Sequence, residues 1–119
     1  MKIELINSNP ILKLTFEFSL MVIEYCSLLE TERKFVIANQ LLKSGTSIGA
    51  NAMEAQNAES KADFIHKFKI AAKESEETQY WLLLCKFAPQ LPSCDGLLSK
   101  LEQIQKIISS IISGSKSKN

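Results

Sequence analysis

The segment from residue 40 to residue 51 reads QLLKSGTSIGAN, and it places two glycines inside a stretch with helical apolar spacing. On a helical wheel of about 100° per residue, the small and apolar residues of this region fall within one arc: Ala38, Leu41, Leu42, Gly45, Ile48, Gly49 and Ala52. A glycine in a helix interior costs about 1 kcal/mol relative to alanine. Since the helix contains two such glycines, a favourable interaction must compensate for both. We therefore expect Gly45, Gly49 and Ala52 to mark the close approach of a neighbouring helix.

Helical patterns continue on both sides of this segment. The first predicted helix begins with Asn9 as N-cap and Pro10 at its first position, and the glycine-containing second helix covers about residues 33–55. Ser60 and Asp63 resemble a capping box that opens a third helix reaching about Ala88, before Pro89. A fourth helix follows the proline-containing break at residues 88–93.

Apolar residues recur at alternating spacings of three and four along these helices. The first helix carries this seam: Ile11, Leu14, Phe18, Met21, Tyr25 and Leu28. The third helix carries another: Phe64, Phe68, Ala71, Ser75, Thr78, Leu82 and Cys85. The fourth carries Leu97, Leu101, Ile104, Ile108 and Ile111.

Four helices of this length joined by short connections predict an all-α fold, an antiparallel up-down-up-down four-helix bundle. We expect residues 1–9 to form an N-terminal extension, residues 10–112 the bundle domain and residues 113–119 a flexible basic tail. The first and fourth helices carry more apolar surface than one bundle core needs, which predicts self-association.

Composition narrows the class of protein. The 119 residues make one domain, and 14 Lys and Arg against 13 Asp and Glu leave a net charge of +1. That balance is unlike a protein that binds mainly through phosphate attraction. The longest apolar stretch is far too short to span a bilayer, and the N-terminus lacks the apolar core of a signal peptide. We therefore expect a cytoplasmic protein without a membrane partner, with Cys26, Cys85 and Cys94 as reduced and mostly buried thiols.

The sequence offers little for catalysis. A di-iron helix bundle needs two Glu-x-x-His motifs, whereas this chain has one histidine, His66, preceded by Asp63. No nucleophile elbow and no phosphate-binding loop is present in the sequence. We predict no metal, no cofactor and no enzymatic activity.

Polar residues cluster beside the glycine face of the second helix. Lys43, Ser44, Ser47, Asn51 and Glu54 lie within one arc of about 100°. One interpretation is a solvated face on which the serines bond to carbonyls one turn earlier. The other is a half-buried polar seam that pairs with third-helix groups, for which the candidates are Lys73, Glu74 and Glu77.

The third helix also carries candidate nucleic-acid contacts: Lys61, Lys67, Lys69 and Lys73. Tyr80 and Trp81 follow them and could stack on bases. Glu74, Glu76 and Glu77 interleave with the lysines, so pairing between neighbouring turns of the helix is the alternative interpretation.

Two blocks of sequence resemble a known family. The first is the segment at residues 40–51 followed by Glu54-Ala55, and the second combines Lys61 to Phe64 with Phe68, Ile70-Ala71, Glu74, Glu77 and Tyr80 to Leu82. Together they resemble the 23S rRNA intervening sequence proteins, a bacterial four-helix bundle family, over about residues 10–112. The resemblance implies a cytoplasmic bundle that assembles as a homopentamer, and it favours a shared seam or site over a solvated face. Similar bundles include the accessory proteins of diversity-generating retroelements, which implies RNA or DNA as a partner.

Three functional hypotheses follow from the sequence. The first is a non-enzymatic oligomeric scaffold or adaptor, with subunit contacts on the first and fourth helices. The second is a nucleic-acid-binding accessory protein that works with an RNA- or DNA-processing enzyme. The third, and least favoured, is a nuclease in which Glu54, Glu74 and Glu77 hold Mg²⁺.

Overall fold

The computed structural model describes residues 2–117, and five α-helices make up its regular structure. They are α1 (Lys2–Ser8), α2 (Pro10–Thr31), α3 (Phe35–Ala55), α4 (Lys61–Phe87) and α5 (Asp95–Ser117). This range contains no strand, which confirms the all-α prediction. The predicted count of four helices is wrong, because α2 to α5 are the four expected helices and α1 is additional. No helix among the described residues has the length and apolar character needed to cross a bilayer.

The additional helix forms in the segment that we expected to be an extension. Leu5 and Ile6 are half-buried, Leu5 packs against the core, and α1 contacts α2. The Asn9 amide also donates to the Leu5 carbonyl at 3.1 Å. A seven-residue helix is not stable alone, so these contacts with α2 are what stabilise α1.

At the other end, α5 continues five residues beyond the predicted boundary at residue 112. Ser113, Gly114 and Ser115 have low helix propensity, but the cost is at most about 1 kcal/mol for each residue. That cost does not end a helix whose preceding turns are anchored by the buried Ile104 and Ile108. Of the predicted tail, residues 118 and 119 lie outside the described residues.

Capping groups fix the starts of two helices, as the sequence predicted. Asn9 Oδ1 accepts a hydrogen bond from the Ile11 amide at 3.2 Å, with Pro10 at the first helical position. Ser60 Oγ accepts from the Asp63 amide at 3.0 Å. α4 ends at Phe87, and Ala88 adopts the extended backbone that a following proline requires.

The four long helices contact one another in a closed ring. The backbones of α2 and α4 each come close to those of α3 and α5 but not to each other within residues 2–117, although the side chains of Tyr25 and Cys85 interact across the core. Between α3 and α4, Glu54 pairs with Lys67 and Ser44 with Thr78. Between α4 and α5, Lys86 pairs with Asp95 and Gln105 with Ser75. In both interfaces the residue number rises along one helix as it falls along the other.

The buried face of α2 differs from the predicted seam. Ile11, Phe18 and Tyr25 are buried as expected, but Leu14 and Met21 are half-buried and Leu28 is 44% exposed. Their places in the core are taken by the residues one position further along, Thr15, Val22 and Leu29, and Cys26 is buried in addition to Tyr25. The helix is apolar on more than one side, so its own pattern could not fix which side faces inward. The small residues of α3 fix it.

The expected apolar surplus on the last helix is not exposed. Leu98, Ile107, Ile111 and Ile112 of α5 are half-buried and pack against the core. The large apolar side chains that remain exposed on the long helices lie instead on α2, α3 and α4. The prediction that the fourth predicted helix offers free apolar surface is therefore wrong, whereas the prediction for the first predicted helix, α2, is confirmed.

The glycines of α3 lie where α2 comes nearest. A Cβ atom added at Gly45 would lie 3.0 Å from both methyl carbons of Val22, and one added at Gly49 would lie 3.3 Å from Thr15 Cβ and Oγ1. Ala52 is fully buried in the same row. A larger side chain at Gly45 would hold the two helices apart, since Val22 is buried and has few alternative rotamers.

We expect Gly45→Ala to destabilise the protein. Overpacking of a buried contact costs about 1–3 kcal/mol, which exceeds the gain of about 1 kcal/mol in helix propensity. Urea denaturation measures the difference. Gly114→Ala is the control, because a Cβ there meets nothing within 4 Å and only the propensity gain remains. Equal stabilisation by both substitutions would show that α2 and α3 are not closely packed at Gly45.

Candidate functional site

The polar residues of α3 lie along its interface with α4, and their burial is graded across the helix. Ser44 is buried, Ser47 and Asn51 are half-buried, and Lys43 and Glu54 are exposed. The five residues therefore form neither a purely solvated face nor a fully buried seam. We call them the α3 polar seam.

The buried edge of the seam is a pair of hydroxyl groups between the two helices. Thr78 Oγ1 of α4 lies 3.0 Å from Ser44 Oγ and 2.8 Å from the Glu74 carbonyl. Ser44 Oγ lies 3.5 Å from the Leu41 carbonyl. Both side chains are at most 1% exposed. Burial of a hydroxyl is costly unless it is hydrogen-bonded, so the pair fixes the register of α3 against α4.

The middle of the seam bonds within its own helix. Ser47 Oγ donates to the Lys43 carbonyl at 2.7 Å, and Asn51 Nδ2 donates to the Ser47 carbonyl at 2.9 Å. Both bonds reach back four residues, which is the local pattern of the solvated interpretation. Ser44 follows the seam interpretation, and Ser47 and Asn51 follow the local one.

The exposed edge forms an ion pair with α4, but not with the predicted partners. Glu54 Oε1 lies 3.2 Å from Lys67 Nζ, whereas the seam interpretation gave Lys73, Glu74 and Glu77 as its candidate partners. Glu77 instead accepts a hydrogen bond from Trp81 Nε1 at 3.1 Å. The expected partners were wrong because Glu54 lies at the end of α3, beside the beginning of α4.

The four candidate nucleic-acid contacts have different surroundings. Lys61, Lys69 and Lys73 are exposed on α4, whereas Lys67 is half-buried and its ammonium group pairs with Glu54. Trp81 is also half-buried, with its ring 5.3 Å from that of Tyr80 in an edge-to-face contact. The exposed lysines therefore lie about two to five turns before the aromatic pair rather than among it.

The carboxylates considered for metal binding do not come together in one site. Glu54 is paired with Lys67 and Glu77 with Trp81. Within residues 2–117 there is no group of three His, Cys, Asp or Glu residues placed to hold a metal ion.

The three cysteines are free and buried, as the sequence predicted. Burial raises the pKa of the Cys26 thiol to about 11 and also raises the pKa of Cys85 and of Cys94. Burial likewise raises the pKa of Tyr25, whose hydroxyl donates to the Pro92 carbonyl at 2.7 Å. The thiols are therefore protonated at neutral pH, and a protonated thiol is a poor nucleophile.

Two features of this surface were missed from the sequence. The sequence placed Thr78 in the core of its helix but did not predict its contact with Ser44. The signal that could have predicted this contact was a small polar residue facing the core on each of two neighbouring helices. The second is an exposed apolar surface, which we call the α4 patch: Phe35, Val36, Tyr80, Leu83, Leu84 and Phe87. The α4 part of this patch could have been predicted, because Tyr80, Leu83, Leu84 and Phe87 are apolar or aromatic residues outside the core spacing of α4.

The hydroxyl pair is expected to behave as a coupled unit. Thr78→Val leaves Ser44 with only its 3.5 Å contact to Leu41, which costs about 1–3 kcal/mol of unfolding free energy. Combined with Ser44→Ala, the loss is smaller than the sum of the two single losses by about 1 kcal/mol.

Urea denaturation of the four proteins in this double-mutant cycle measures the coupling. Thr46→Val is the matched control on α3, because its hydroxyl bonds only to carbonyls of its own helix, at 2.7 Å from Leu42, and we expect a change within about 0.5 kcal/mol. Strict additivity of the two substitutions would contradict the pairing.

Comparison with known proteins identifies the chain's relatives. A family model described as 23S rRNA-intervening sequence protein matches residues 7–110. The structure is similar to the 1.70 Å crystal structure of a protein of unknown function from the S23 ribosomal protein family of Bacteroides thetaiotaomicron VPI-5482. The two have a TM-score of 0.81 and 39% sequence identity, over 86% of this chain and 97% of that one. No curated protein matches the chain. The chain belongs to the 23S rRNA-intervening sequence protein family.

Proposed function

We propose that this protein is a non-enzymatic homo-oligomeric scaffold or adaptor. The observation that carries the proposal is the amount of apolar surface that the single chain leaves exposed. Phe16, Leu20 and Ile23 on the outer side of α2 are 46%, 54% and 49% exposed, and we call them the α2 patch. The α4 patch is more open still, with Val36 at 77% and Phe87 at 78%. Contiguous exposed apolar side chains are typical of protein–protein contact surfaces.

In such a scaffold the four long helices form an antiparallel up-down-up-down bundle, with α1 added at one end. The reversed residue order of the α3–α4 and α4–α5 contacts supports this arrangement. The contacts of Tyr25 with Pro92, which lies just before α5, and of Glu17 with Lys100 of α5 give the same order between α2 and the last part of the chain. A bundle of this kind presents the outer sides of its helices as rigid surfaces, which suits a scaffold.

Cytoplasmic location and pentameric assembly belong to the same proposal. Three unpaired cysteines are what a reducing compartment favours. The pentamer is what resemblance to the 23S rRNA intervening sequence proteins implies. A ring of five copies would bury the apolar side chains that one copy leaves open.

Light scattering coupled to size exclusion tests the proposal. We expect a single species of about five times the subunit mass of 13.3 kDa, with a 260/280 nm absorbance ratio typical of protein alone. A monomer across the micromolar range would contradict it.

Nucleic-acid binding is the second candidate function. The observation in its favour is that Lys61, Lys69 and Lys73 are exposed on α4, and assembly would repeat these lysines in every copy. Several weak contacts in one assembly bind a long strand by avidity, so a subunit of net charge +1 could still hold RNA or DNA.

Salt dependence separates the two functions. If the lysines contact phosphates, the affinity for a fluorescent single-stranded RNA falls steeply as salt is raised, and Lys69→Gln with Lys73→Gln reduces that slope. Lys106→Gln is the control, because Lys106 lies on α5 and pairs with Glu102 at 3.3 Å. Absence of binding at low salt would exclude the second candidate.

A further inference from the structure

The two apolar patches lie on opposite sides of the molecule. Within the described residues the backbones of α2 and α4 each come close to those of α3 and α5 but not to each other, so the two helices occupy opposite corners of the ring of helices. The α2 patch is on the outward side of one corner. The α4 patch is on the outward side of the other and extends onto the beginning of α3. One copy therefore cannot cover both patches with a single contact.

The patches also differ in shape. The α2 patch is a narrow row, because Phe16, Leu20 and Ile23 follow one another at spacings of four and three along one helix. The α4 patch is broader and hollow. It contains two open depressions of about 580 and 470 Å³ that share Leu84, one between Tyr80 and Ala88 and the other between α4 and the start of α3. Phe16 of the α2 patch also borders a depression, of about 240 Å³, between α2 and α3, so the α4 patch is the wider of the two surfaces.

Charged residues beside the α2 patch are mainly acidic. Glu24 follows Leu20 by one turn and Glu30 follows Ile23 by two turns, whereas Lys13 precedes Phe16; all three are exposed. The neighbouring Glu17 is already paired with Lys100 at 3.4 Å. The free charge beside this row is negative.

Charged residues beside the α4 patch are mainly basic. Arg33 and Lys34 line the hollow next to Phe35, and the exposed Lys73 lies two turns before Tyr80. Glu76 and Glu77 are also exposed and lie one turn before Tyr80, nearer to it than Lys73, and Glu77 keeps its charge although it accepts a hydrogen bond from Trp81. Lys86 is paired with Asp95 at 3.4 Å. The basic excess beside this patch therefore lies at its α3 end, at Arg33 and Lys34.

We infer that the α2 patch of one copy docks into the α4 patch of the next copy, which deepens the proposed function and rests on it. Pairing the two unlike patches can bring the acidic excess beside the α2 patch against Arg33 and Lys34, whereas pairing the α4 patch with itself would bring those two basic residues toward their own copies. A contact between unlike patches repeats head to tail. It closes into a ring or extends as a filament, and it does not stop at a two-fold dimer.

One set of variants tests this contact. Leu20→Glu disables the α2 patch, and Phe87→Glu disables the α4 patch. Both side chains are exposed, so the fold should tolerate the changes, and circular dichroism with thermal melting checks this. Val36→Glu, on another part of the α4 patch, replaces Phe87→Glu if that variant melts early. Gln103→Glu places the same charge at an exposed position of α5 and serves as the control.

The expected result is specific to a head-to-tail contact. Leu20→Glu alone and Phe87→Glu alone each lose assembly and elute at 13.3 kDa, while Gln103→Glu assembles like the wild type. An equimolar mixture of the two disabled variants forms a species of twice 13.3 kDa, because each supplies the patch that the other lacks.

Other outcomes would overturn the inference in distinguishable ways. If each single variant forms a dimer by itself, the patches pair like with like, and the inference fails while the proposed oligomer stands. The same holds if the variants assemble like the wild type, because the contact then lies elsewhere. A monomeric wild type would overturn the inference and the proposed function together. The patches would then be binding surfaces for a different protein.

Discussion

The close approach of α2 and α3 is the contact on which the rest of this structure depends. Two glycines one turn apart let Val22 and Thr15 come within 3.0 and 3.3 Å of where side chains would begin. Because the glycines lie on one row of α3, they also decide which side of α2 turns inward. Phe16, Leu20 and Ile23 then remain outside. The contact that builds the core thus also creates one of the two surfaces proposed for assembly.

The interface between α3 and α4 combines buried apolar residues with polar pairs that are specific in their partners. The hydroxyls of Ser44 and Thr78 satisfy each other in the core, and the Glu54–Lys67 ion pair lies at the exposed end. An exposed ion pair contributes little stability, but unsatisfied buried hydroxyls would be costly. The buried pair is therefore what specifies the register, and the register is what brings Phe35 and Val36 beside the end of α4.

Much of this fold is predictable from the sequence, because its signals are local. Asn9 and Pro10, Ser60 and Asp63, and the prolines after α4 mark helix ends through bonds within a few residues. The apolar spacing of α4 and α5 also predicted which of their residues are buried. The inward side of α2 was not, since the helix is apolar on several sides and the choice is made by its neighbour. The short α1 was missed for the same reason, because its stability comes from α2.

The candidate site was less predictable, because partners across an interface depend on how far one helix slides along another. The sequence identified Ser44 and Glu54 but not Thr78 and Lys67 as their partners. Amide hydrogen exchange by NMR tests the central role of the α2–α3 contact most directly. We predict that residues 41–52 of α3 and residues 15–26 of α2 exchange together, in the slowest class and by global unfolding. Exchange of α2 at much lower protection than α3 would show that the two helices open separately, and it would contradict this account.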